Sequence, residues 1–132
     1  MKHIVSALAC AFTLCLQGQA LAQANAPNLN GVWRGTGHQT PAGDSGADWT
    51  IAMTINANSS SIDYPSLKCG GTLTQLSRTG TSAEFREHIT YGQGHCVDGG
   101  TIMVKSQKNQ LAWSWAGNQG GKQYTAIAVL GR

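Results

Sequence analysis

Trp49-Thr50-Ile51-Ala52-Met53-Thr54-Ile55 is the stretch whose reading decides the fold. Trp49, Ile51, Met53 and Ile55 fall on one side of an extended segment, and Thr50, Ala52 and Thr54 on the other. Successive side chains of a strand point to opposite faces, whereas a helix needs apolar residues three and four apart. Threonine and isoleucine add to this, because a side chain branched at Cβ is stiff and packs well on a pleated surface. The segment reads as a strand with one buried face.

The same alternation continues in both directions. Upstream, Leu29 to His38 sets Leu29, Gly31, Trp33 and Gly35 against Val32, Arg34 and Thr36. Gln39 to Ala47 then makes a loop, marked by Pro41, Gly43, Asp44 and Gly46. Downstream, Asn56 to Ser61 turns, and Ile62 and Tyr64 sit on a short strand stopped by Pro65. Cys69 to Leu76 is a further strand with glycines at its start that suit a bulge. After a turn at Arg78 to Ser82, the residues Ala83, Phe85, Glu87, Ile89 and Tyr91 share a face. Gly92 to Gly100 is a glycine-rich connection, Thr101 to Lys105 a strand, and Ser106 to Asn109 a turn. Leu111, Trp113 and Trp115 alternate with Ala112, Ser114 and Ala116, and Tyr124 to Leu130 closes the chain. No window carries a helical stripe.

About eight short strands with hairpin-length links predict an all-β domain. An open sheet of this length would expose two edges and one apolar face, and closure on itself removes both problems. The expectation is an eight-stranded antiparallel up-and-down β-barrel, with a two-sheet sandwich as the alternative.

The N-terminus has a different character. Met1-Lys2-His3 is a short basic start, Ile4 to Leu16 an apolar run, and Ala20-Leu21-Ala22 offers small residues at a cleavage site. The run is shorter than the roughly 20 residues a spanning helix needs, so residues 1–22 read as a secretory signal peptide. The cut is expected after Ala22, with Ala24 or Ala26 as the other positions. Residues 23–28 are a flexible lead-in, and 29–132 a single domain without a membrane span. A periplasmic or secreted location follows. Cys10 and Cys15 leave with the signal, and in an oxidising compartment Cys69 and Cys96 are expected to form one disulfide.

Leu29-Asn30-Gly31-Val32-Trp33 resembles the opening of the calycin superfamily, the lipocalin, fatty-acid-binding and avidin-type barrels. The resemblance implies that Trp33 of the Gly31-x-Trp33 motif plugs one end of the barrel. It also implies that a basic residue of the last strand, here Arg132, lies over that tryptophan. The chain lacks the C-terminal helix region of lipocalins and the asparagine and serine pattern with which avidins hold biotin. No particular ligand is carried over.

Chemistry has few footholds here. Net charge is +3 for the whole chain, and the basic residues are scattered singly, so no nucleic-acid footprint stands out. Gly43-Asp44-Ser45-Gly46 is the string around a serine protease nucleophile, but it lies in a loop, and the domain lacks the histidine base and buried aspartate that such enzymes place far upstream. His38, His88, His95, Cys96 and Asp98 have no metal-ligand spacing. No catalytic residue, metal site or cofactor is assigned, and the expected class is non-enzymatic.

Glu87 is the informative residue. It shares a face with Phe85, Ile89 and Tyr91, where a carboxylate is costly unless it is paired. Either that face meets solvent or an arginine such as Arg34 or Arg86, or Glu87 is a polar anchor in an aromatic cavity. The candidate ligand-binding residues are Trp49, Tyr64, Glu87, Tyr91, Trp113 and Trp115. They suggest a binding protein for a small apolar or aromatic molecule. The alternative is an inhibitor or interaction module that presents loops 39–47 and 92–100 to an envelope or secreted protein, such as a protease or lysozyme.

Overall fold

The structure, a computed structural model, describes residues 28–40 and 48–132. The expected signal peptide, nearly all of the lead-in, and Ser45 with most of the 39–47 loop lie outside the described residues. The strands are β1 (Gly31–Thr40), β2 (Trp49–Ile55), β3 (Ser60–Tyr64), β4 (Cys69–Arg78), β5 (Ser82–Tyr91), β6 (Thr101–Gln107), β7 (Gln110–Gln119) and β8 (Lys122–Gly131). A single 3-10 turn, Pro65–Leu67, joins β3 to β4. Each strand pairs antiparallel with the next, and β8 returns to β1 through pairs such as Gly35 with Leu130 and Thr40 with Thr125. The sheet is a closed barrel, and the sandwich alternative is set aside. Among the described residues no helix is long and apolar enough to cross a membrane.

Several strands run further than apolar alternation shows, because the turns between them are tight. Gly120 and Gly121 both have positive φ, so β7 and β8 hydrogen-bond down to the pair Gln119 and Lys122. Ser60, expected in a turn, instead starts β3 facing inward, and its hydroxyl accepts the Asn56 N–H at 3.2 Å.

The inward face is apolar along most of its length. Ile55, Phe85, Val104, Leu111 and Leu130 are buried there. Trp33 shuts one end: its indole N–H donates to the Leu29 carbonyl at 2.8 Å, and the Arg132 guanidinium carbon lies 4.3 Å from its ring centroid. Arg132 also donates to the Asn28 carbonyl, and Arg78 to Asn30 Oδ1 at 2.8 Å. Gly31 completes the closure with φ +137°, a conformation side chains rarely adopt, and a Cβ there would lie 3.1 Å from Arg132 Nη1. The expected contact between Trp33 and Arg132 is present.

At the other end the chain is stapled. Cys69 opens β4 and is disulfide-bonded to Cys96 in the β5–β6 loop, with Cα atoms 6.3 Å apart. Asp98 Oδ1 accepts the N–H groups of Ile89 and Gly99, each at 2.8 Å, and the Glu87 N–H donates to the Gly100 carbonyl at 2.8 Å. The glycine-rich loop is thereby tied along the end of β5.

One expected inward residue is outside. Gly71 pairs with Ile89 but Gly70 with Tyr91, so Thr90 is an extra residue and the alternation changes phase there. Tyr91 is 46% exposed and its hydroxyl donates to Asp63 on the outer surface. It reaches across Gly70, where a Cβ would stand 2.5 Å from the Tyr91 oxygen. Tyr91 takes no part in the interior.

Candidate ligand-binding site

The barrel end opposite Trp33 holds a cavity of about 340 Å³, near the lower limit of the roughly 300 to 1,000 Å³ common for small-molecule sites. Trp49 on β2, Tyr64 on β3, Glu87 on β5, Trp113 and Trp115 on β7 and Tyr124 on β8 supply its walls. Leu67 of the 3-10 turn and His95, Cys96 and Val97 of the stapled loop stand at its rim. Five of the six expected binding residues therefore meet in one place, all except Tyr91. Tyr124 was not among the expected residues, although it shares the inward phase of Ala126, Ala128 and Leu130. Nor were the rim residues, because a loop carries no period from which a direction can be read.

Glu87 faces into the barrel and is 2% exposed. Neither Arg34 nor Arg86 pairs with it; both are exposed. Its partners are neutral. The Trp115 indole N–H donates to Oε1 at 3.1 Å, and the Tyr64 hydroxyl donates to Oε2. Burial raises the Glu87 pKa above the ordinary carboxylate range; the two donors pull it down by less, and Asp98 adds a small push upward. The same burial, then the Glu87 charge and the shared hydrogen bond, hold the Tyr64 hydroxyl well above its usual value. Folded Glu87 keeps its proton to higher pH than unfolded Glu87 does. This group's contribution is therefore full below the unfolded value and is lost as pH rises through the folded one.

Three glycines make room for the indoles. A Cβ at Gly37 would come within 2.7 Å of the Trp49 ring. At Gly100 it would lie 2.1 Å from Trp115 Nε1, and at Gly117 2.5 Å from Trp115 Cζ2. Trp115 thus lies over bare backbone, with its N–H aimed at Glu87. Gly100→Ala should displace that ring, break the bond to Glu87 and cost about 1 to 3 kcal/mol. In a nitrogen–proton correlation spectrum the Trp115 indole signal should move most. A signal that stays in place would show that the glycine is not what seats the ring.

Trp113 is 2% exposed, and its indole nitrogen has no acceptor among the described residues. It is the one such buried side-chain atom found there, and it belongs to the cavity wall. Native structures leave few buried donors unpaired. Among the described residues no group of three or more His, Cys, Asp or Glu side chains is placed to hold a metal ion. His88 points outward, 3.6 Å from Asp98, and His95 is an exposed rim residue.

Compared with protein-family models, with curated proteins and with solved structures, the chain matches none.

Proposed function

We propose that this is an exported, non-enzymatic binding protein that takes one small, largely apolar molecule into the open cup of its barrel. The observation that carries this reading is the contrast between the two ends. One end is plugged by Trp33 and Arg132, while the other keeps about 340 Å³ open between indoles, phenols and one buried carboxylate. A barrel of eight strands is just wide enough to be filled by its own side chains or to hold one small ligand. A domain built only to be rigid gains nothing from leaving such space or from burying Glu87 within it. The Cys69–Cys96 disulfide suits the oxidising compartment to which the leader would deliver the chain.

A neutral apolar dye, N-phenylnaphthylamine, tests this directly. The processed protein should bind it saturably with quenching of tryptophan emission. Trp49→Ala, at the half-buried edge of the cup, should weaken binding about tenfold, the loss of one aromatic wall. A dye that never saturates would end the reading.

A second reading has its own support in the 92–100 loop. The disulfide and Asp98 hold that loop in one shape while Gln93, Gly94 and His95 stay exposed. Inhibition of a lysozyme or a secreted protease, without dye binding, would favour an interaction module instead.

A further inference from the structure

The cup holds a buried carboxyl group as well as an apolar space. Glu87 is buried with both oxygens engaged by neutral donors, so among the described residues no cation compensates the charge it carries when ionised. Among the described residues no lysine or arginine lines the cavity. Arg86 and His88, its neighbours on β5, are exposed on the outer side. Lys122 lies outside the lining, with Nζ 5.3 Å from the Tyr124 ring centroid. Nearby Asp98 adds further negative potential. An unpaired carboxylate in such a place is expensive unless something brings the opposite charge to it.

The rings around it favour the same guest. Trp49, Trp113, Trp115 and Tyr64 surround the space beside Glu87. Aromatic faces carry negative quadrupole charge and attract cations, most strongly where water is excluded. The hydrogen bonds leave lone pairs to offer. An ionised carboxylate has about four acceptor directions, and Trp115 and Tyr64 occupy two. An indole N–H only donates, so Oε1 must accept. Were Glu87 protonated on Oε2, that proton would be turned to Tyr64, leaving no acidic donor for a carbonyl guest.

Resting on the binding-cup reading above, we infer that the ligand is an organic cation: an ammonium group on a small aromatic or apolar frame, its charge held by Glu87 among the indoles. Anions are disfavoured by the same carboxylate, and neutral molecules of equal shape gain only the apolar contacts.

Calorimetry near neutral pH with naphthylethylamine, naphthylethanol and naphthylacetate tests this. The amine should bind about tenfold or more tightly than the alcohol, and the acetate most weakly. Glu87→Gln should bring the amine level with the alcohol, since the carboxylate that separates them is gone. Equal affinity of wild-type protein for amine and alcohol, with the dye still bound, would overturn the cation and leave the cup. Loss of the dye as well would remove both.

Should Glu87→Gln fail to fold, the wild-type pH profile decides. Amine affinity should rise as Glu87 ionises and then level off, while alcohol affinity stays flat; parallel profiles overturn the inference. The other titratable groups facing this space are Tyr64 from β3, Tyr124 from β8 and His95 from the loop, while Asp98 acts on Glu87 from outside the lining. Burial and the neighbouring Glu87 charge hold the Tyr64 hydroxyl well above its usual value. The same profile in His95→Gln separates the rim residue from Glu87, and a rise that vanishes in that variant also overturns the inference.

Discussion

Trp33→Ala should destabilise the domain by about 3 to 5 kcal/mol, the usual cost of removing a large aromatic side chain from a core. Three losses coincide at that position. The indole volume disappears from the shut end of the barrel, where Trp33 is buried. The Leu29 carbonyl, itself on a buried residue, loses the N–H that reaches it at 2.8 Å. Arg132 loses the ring face 4.3 Å beneath its guanidinium. Domains of this size are stable by only about 5 to 15 kcal/mol, so the change should be plain in urea denaturation. Dye binding should persist wherever the variant remains folded, because Trp33 does not line the cup. A loss below about 1 kcal/mol would show that the plug does not hold the barrel together.

Removing the disulfide should act on a similar scale at the other end. Cys69 and Cys96 are 27 residues apart in sequence, and closing a loop of that length limits the unfolded chain by about 3.5 kcal/mol in the chain-entropy account. The double variant Cys69→Ser with Cys96→Ser, or reduction of the natural protein, should lower the melting temperature by on the order of 15 °C. This change should also reach function. Cys96 stands between His95 and Val97 at the rim, and the staple is what draws those residues toward β4. Asp98 keeps the later part of the loop bonded to β5 in either case. Dye affinity should therefore fall without vanishing. A double-serine protein that melts with the natural one would contradict the staple's role.

Alternation carried most of the architecture. In β2 every second residue is large and apolar, and Phe85 and Ile89 of β5 and Leu111, Trp113 and Trp115 of β7 keep the same alternation, a pattern with one meaning when turns follow at short intervals. That Glu87 shares a face with Phe85 and Ile89 was legible for the same reason, but whether that face met solvent, an arginine or a cavity was not. Its partners were not. Tyr64 and Trp115 lie 23 and 28 residues away, and only the register of the closed sheet brings them to the same carboxylate. Tyr91 misled because it extends the apolar pattern after Ile89, while the extra residue Thr90 changes the phase unseen. Gly37, Gly100 and Gly117 looked like ordinary turn or strand residues. Their role as beds for Trp49 and Trp115 depends on side chains from other parts of the fold.

The four tryptophans give the most direct test, because three stand at one end of the barrel and one at the other. Trp49, Trp113 and Trp115 line the cup, and Trp33 seals the opposite end. A nitrogen–proton correlation spectrum shows each indole N–H as its own signal, assignable through single Trp→Phe variants. On saturation with N-phenylnaphthylamine, the signals of Trp49, Trp113 and Trp115 should shift while that of Trp33 stays where it was. Four unmoved signals, or a Trp33 signal that moves as far as the others, would contradict a barrel with one sealed end and one receptive one.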